Sequence, residues 1–281
     1  MVRVWLVQMN AEPEDKYGNL HKIHKYIDKA SSSRIDLVAF PELAISGYVS
    51  GSKLYELAKP IPGPSTEHMI KKAENGKMYI VMGMPEIRDG SIYNSAPVFG
   101  PEGLIGIYRK HYLPEFASLD GFKYEEGRDF EPALDLRVFD TRFGKIGIEI
   151  CYDAWHPEIA RAQALQDAWL IVNISAAPIG AAGWFQLLAR ARALENIVWF
   201  AFVNQVGLQE GIPFGGGTCM VSHLSNIEQQ ASIGKDGKEE IVEYKIDNSA
   251  IFEKRLNLPF LKDVRPEVLK KVYEIARSIR G

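Results

Sequence analysis

The chain has 281 residues, 46% of them hydrophobic, enough to bury a large core, with acidic and basic residues intermixed at a net charge of -3. That balance leaves no basic face for nucleic acid and no polybasic run for anionic lipid, so small-molecule partners are expected. Two cysteines, Cys151 and Cys219, exclude a disulfide framework and point to a reducing, cytoplasmic setting.

The opening apolar run, Val2 to Met9, lacks a basic leader and is too short to span a bilayer; it reads as a first strand. Leu20, Ile23, Ile27 and Ala30 recur at helical spacing, and Leu37 to Phe40 forms a short buried strand halted by Pro41. Ser65 or Thr66 caps a predicted helix that stops at Gly76, ahead of an apolar run from Met78 to Met84. Ile92 to Arg109 reads as a hairpin about Pro101-Glu102-Gly103, and Leu136 to Phe139 with Lys145 to Ile150 as a second pair. A helix from Pro157 to Gln166 leads into a strand at Trp169 to Ile174, and a long helix from Trp184 to Asn196 into a strand at Trp199 to Val203. Strands near Thr218 to Val221 and Ile241 to Ile246, then a helix from Pro266, complete the chain. Crossovers and hairpins spread evenly, with no linker or repeat, predict one domain over 1–281, its sheets pairing internally and carrying helices on their outer faces. The sequon Asn173-Ile174-Ser175 lies in an apolar stretch where a glycan has no room.

Glu42, Lys110 and Cys151 each follow directly on an apolar run, so each leaves a strand at its carboxyl end. Ligands bind along that edge of α/β sheets, because side chains there project into a crevice from a rigid scaffold. A thiolate attacks carbonyl carbon well, and a neighbouring ammonium favours it; a carboxylate in reach takes the thiol proton, hands it to a departing amine and later activates water. Lys110 and the Tyr152 amide are the candidate partners of the oxyanion. Taken singly, a cysteine after a strand is most often a core residue, and a lone Glu or Lys a solvated charge. Spacing alone does not set those readings aside.

The wider pattern does. Phe40-Pro41-Glu42-Leu43-Ala44-Ile45-Ser46-Gly47-Tyr48, Tyr108-Arg109-Lys110-His111-Tyr112-Leu113-Pro114 and Gly147-Ile148-Glu149-Ile150-Cys151-Tyr152-Asp153-Ala154-Trp155-His156-Pro157-Glu158 resemble the nitrilase superfamily of carbon–nitrogen hydrolases. The likeness continues through Arg190 to Asn196, Phe214 to Gly217 and Asp263 to Pro266, in the family's order. It implies a four-layer α-β-β-α sandwich with two mixed sheets face to face, no cofactor or metal, and a Glu-Lys-Cys triad that maps onto Glu42, Lys110 and Cys151. The family's second glutamate falls on Asp120, counted back from Gly127, with Glu115 as the other candidate. Tyr48, Tyr152, Trp155, Ala177 and Trp184 stand beside the motifs as pocket walls.

Cys151-Tyr152-Asp153 looks like the amidase and carbamoyl-amide branches, so hydrolysis of a small non-peptide amide through a thioester is expected; nitrile hydrolysis, acyl transfer to an amine and a non-catalytic binding role are the alternatives. Surplus apolar residues on the helix after Cys151 and on that near Arg192 predict a homo-oligomer. Gly215-Gly216-Gly217 lacks the lysine and hydroxyl of a phosphate loop, His21 and His24 have no third ligand, and no Gly-x-Ser-x-Gly elbow is present.

Overall fold

Alternate residues of β1 (Val2–Gln8) go to opposite faces, Val2, Val4 and Leu6 into one apolar cluster and Trp5 and Val7 into another. This is the two-residue period of a strand buried on both sides. The computed structural model describes residues 1–117, 123–234 and 237–280, and within them the pattern repeats. After β1 come α1 (Lys16–Ser32), β2 (Leu37–Ala39), α2 (Ser52–Leu57), α3 (Glu67–Gly76), β3 (Tyr79–Val81), β4 (Met84–Arg88), β5 (Ser91–Gly100) and β6 (Gly103–Arg109). The short pair β7 (Glu115–Ala117) and β8 (Lys123–Glu125) precedes β9 (Val138–Thr141), β10 (Gly144–Ile150), α4 (Pro157–Leu165), β11 (Leu170–Ser175), α5 (Ile179–Asn196) and β12 (Trp199–Asn204). The hairpin β13 (Val206–Gln209) and β14 (Ile212–Gly215), then β15 (Cys219–Val221), β16 (Ile227–Gln230), β17 (Glu240–Ile246), α6 (Ser249–Asn257) and α7 (Pro266–Arg280) follow.

Two mixed sheets result, in the orders β17-β1-β2-β3-β5-β4, with β6 also on β5, and β16-β15-β12-β11-β10-β9. Their centres are parallel: Val4 pairs with Leu37 and Leu37 with Tyr79 in one, Ile148 with Val172 and Val172 with Ala201 in the other. One core cluster joins the sheets face to face through Leu6, Ala39 and Val98 against Ile148, Val172 and Val203. A second packs Val38 and Ile80 on Ile23 and Ile27 of α1 and Met69 of α3, and a third packs Ile171 and Phe200 on α4 and α5. The layers therefore run α-β-β-α, as the resemblance implied.

Two boundaries differ from the sequence reading. The run Met78 to Met84 is two strands broken at Gly83, where a Cβ would lie 2.5 Å from the Glu42 Cα and 2.3 Å from the Leu43 amide. Only glycine lets the chain pass there. Helix α5 starts at Ile179, five residues before the expected Trp184. Gly180 and Gly183 weaken its first turns by propensity, and tertiary contact holds them: Gly215 passes so close that a Cβ there would lie 2.5 Å from the Ile179 Cα, and its N–H donates to the Ala177 carbonyl at 3.2 Å. The hairpin β13–β14 went unread although Glu210 and Gly211, at φ 47° and 82°, are the left-handed pair that such a turn requires.

Candidate active site

The parallel strands β2, β10 and β11 all end at one edge of the sandwich, and so does β6, which is antiparallel to β5 and thus runs with β3. Glu42, Lys110, Cys151 and Ala176 leave those four ends. Glu42 and Lys110 are fully buried and joined, Nζ to Oε1 at 2.8 Å. Asn94 Nδ2 donates to the same oxygen at 2.7 Å, and the Ala176 N–H to Oε2 at 2.7 Å. Gln205 Nε2 donates to the Glu42 carbonyl at 2.7 Å, so both backbone and carboxylate are pinned.

A second carboxylate closes on Lys110 from the other side. It is Glu126, whose Oε2 and Oε1 lie 2.7 and 3.0 Å from Nζ. Tyr48 reinforces it, its hydroxyl donating to Oε1 at 3.0 Å. Asp120, the position expected from the resemblance, lies outside the described residues, and Glu115 sits on exposed β7 with its carboxylate over Gly127 rather than at Lys110. Glu126 was missed because it is one of two adjacent glutamates, and only the 3-10 turn at Glu126–Arg128 turns it inward. Its burial, with Lys110 opposing, pushes its pKa up to about 6. Lys110 is pulled down by burial, but Glu126 and Glu42 outweigh that and hold it well above the usual lysine value. Three carboxylate oxygens, one of Glu42 and two of Glu126, thus meet the three donors of its ammonium.

Cys151 opens a short 3-10 turn, Cys151–Trp155, with φ at 46°, a left-handed conformation that costs a non-glycine residue roughly 1–3 kcal/mol and recurs at functional sites. Asp153 clamps the turn: its Oδ2 accepts from the Ile150 N–H at 3.1 Å and Tyr108 OH at 2.8 Å, its Oδ1 from the N–H groups of His111 and Tyr112 at 3.1 and 2.9 Å. One buried side chain therefore fixes the segment after Lys110 against the segment after Cys151. Asn173 Nδ2 donates to the Cys151 carbonyl at 3.3 Å from below.

The thiol lies within electrostatic reach of Glu42, Lys110 and Glu126. Burial, followed by Glu42, pushes its pKa well above the usual thiol value, and Lys110 does not reverse this. Lys110 does favour the thiolate, as expected, but burial and Glu42 outweigh it. Cys219, by contrast, is packed in β15 with no charged partner affecting it, and burial pushes it up to about 12.

A cavity of about 360 Å³ opens over Cys151 and Glu126. Tyr48, Tyr152, Trp155 and Trp184 line it. Ala177 does not: it is fully buried in the apolar layer under α5, its N–H and C=O both bonded to Asn204, while its neighbours Ala176 and Pro178 reach the wall. Phe116, Tyr124 and Phe185 complete an aromatic lining that no spacing rule located. Among the described residues, no group of three or more His, Cys, Asp or Glu side chains is placed to hold a metal ion.

An α-β-β-α sandwich with a thiol seated among carboxylates at its strand ends is the frame of a hydrolase. The sequence model of the carbon–nitrogen hydrolase family matches residues 3–254, and the chain belongs to that family. It is 36% identical over 262 residues to a nitrilase of Pyrococcus abyssi, covering 92% of this chain and 94% of the relative. It is 33% identical to an omega-amidase of Xenopus laevis, covering 94% and 95%. The crystal structure of Saccharomyces cerevisiae Nit3, a member of branch 10 of the nitrilase superfamily, superposes with a TM-score of 0.80 at 28% identity, covering 92% of this chain and 94% of Nit3. The protein is a carbon–nitrogen hydrolase.

Proposed function

We propose that the protein hydrolyses a small non-peptide amide, with Cys151 as nucleophile, Glu42 as general base and acid, and Lys110 with the Tyr152 N–H as the oxyanion's partners. Sγ attacks the amide carbon as its proton passes to Glu42. The oxyanion draws on the Lys110 ammonium, whose longest contact, to Glu126 Oε1 at 3.0 Å, yields to it. Glu42 then protonates the departing nitrogen, the C–N bond breaks and a thioester remains. Water attacks the thioester as Glu42 takes its proton; the C–S bond breaks, the thiolate recovers the proton, and a carboxylic acid leaves. Glu126 and Tyr48 hold Lys110 in place throughout. A single observation carries the reading: Glu42, fully buried, is bonded at once to Lys110 and to the Ala176 N–H, at the strand ends that also carry Cys151 and beside the cavity over it. Cys151-Tyr152-Asp153 and the omega-amidase relative favour amides over nitriles. Trapping with a slow amide should add the acyl mass to the Cys151 peptide; full turnover with that peptide unmodified overturns the proposal.

The same reading has the chain working as a single domain in the cytoplasm, where two free cysteines stay reduced. No described helix is long and apolar enough to cross a membrane. It also has the chain assembling as a homo-oligomer through α4 and α5. Leu165, Leu187 and Leu194 are exposed on those helices and offer apolar surface to a second copy. Light scattering should give at least a dimer, and a monomer at all concentrations overturns it.

A further inference from the structure

The cavity walls also bear on what is attached to the scissile amide. Six rings, those of Tyr124, Phe116, Tyr152, Trp155, Trp184 and Phe185, follow one another around it. Centroids are 5.4 Å apart for Phe116 and Tyr124 and 5.5 Å for Phe116 and Tyr152. They are 6.5 Å apart for Tyr152 and Trp155, and 6.0 and 6.2 Å from Trp155 to Trp184 and to Phe185. Phe116, Trp155 and Trp184 remain 44%, 39% and 46% exposed, so large apolar faces stand in water until a ligand covers them.

Charge is distributed the other way. Among the described residues no Lys, Arg or His lines this cavity, and the sequence of residues 118–122 contains none. Lys110, behind the wall, is engaged by Glu42 and Glu126. Lys123 and Arg128 line a neighbouring cavity of about 440 Å³, with Tyr48, Tyr124 and Glu126 common to both, and Arg128 is paired with Glu125 at 2.7 Å. An anionic tail on the substrate would lose water against aromatic rings, beside the Glu126 carboxylate and with no cation among the described residues of the cavity wall, which is the costly arrangement for a charge.

Given the site as assigned above, we propose that the acyl group of the substrate is uncharged and flat, so that neutral arylalkyl amides are preferred over monoamides of dicarboxylic acids. At about 360 Å³ the cavity lies toward the small end of ligand sites, which run from roughly 300 to 1,000 Å³, and suits one ring on a short stem. The rings supply apolar contact for that group, and Cys151 at the inner end meets the amide carbon.

The test is ammonia release from phenylacetamide, propionamide and succinamate by the intact protein at one pH and salt concentration. Phenylacetamide should exceed each of the others in kcat/KM by at least about tenfold, since a single methylene in an apolar pocket is worth roughly 10- to 200-fold. A smaller margin over either overturns the proposal, and acyl mass on Cys151 from the better substrate then shows that the hydrolase reading survives it. No turnover of any amide with Cys151 unmodified brings down both. Placing a cation in the wall, Trp184→Arg, should move the succinamate to phenylacetamide ratio at least about tenfold toward succinamate; an unchanged ratio in a folded variant overturns the location of the acyl group. If that variant does not fold, the wild-type series decides alone.

Discussion

Replacing Glu42 by glutamine should lower kcat/KM for an amide by about 10³- to 10⁴-fold, the upper range for removing a positioned general acid–base. Glutamine keeps the length and can accept from Lys110 and Asn94, but it cannot take the thiol proton. The charge change has a second, opposite consequence. Glu42 is the largest charged influence holding the thiol pKa up, so its neutralisation lets that pKa fall while Lys110 remains. Alkylation of Cys151 by iodoacetamide should therefore rise at a given pH as turnover collapses. An inert scaffold residue would move neither, and a variant within tenfold of wild-type turnover removes Glu42 from the chemistry.

The second large effect lies beneath the nucleophile. Glu149 on β10 is fully buried, its Oε2 3.5 Å from Asn173 Nδ2. Burial, with Asp153 adding to it and Arg192 opposing, pushes its pKa up to about 8. A carboxyl that binds its proton more tightly when folded contributes stability that is present below the unfolded value and is lost as pH rises through the folded one. Wild-type stability should thus carry a falling component of roughly 1.4 kcal/mol per pH unit between about pH 4.5 and 8, flat above. Glu149→Gln stays neutral and lacks that component. By denaturant unfolding it should gain on wild type across that window, to on the order of 5 kcal/mol at pH 9. Parallel curves for the two proteins across that range would sink the assignment.

Much of the frame was legible because the signals are local. Val2 to Met9, Leu37 to Phe40 and Lys145 to Ile150 read as strands from runs of apolar residues, and helix α1 from the spacing of Ile23, Ile27 and Ala30. The outcome differed where neighbours in space overrule neighbours in sequence. The first turns of α5 look poor in isolation and stand because Gly215 packs on them; the β3–β4 break exists because Gly83 must pass the Glu42 backbone. Glu126 and Glu125 are chemically identical, and only the turn after β8 buries one and leaves the other paired with Arg128 at the surface.

Residue types and their order along the chain were thus enough to indicate the layers, the kind of chemistry and three groups worth watching, since strand period and motif spacing are written in one dimension. Whether the thiol rests protonated, which second carboxylate meets Lys110 and which rings face the amide are matters of burial and distance between segments remote in number. Desolvation and Coulomb interaction depend on such distances and on excluded water, and these come into being only when the strand ends are brought to a common edge.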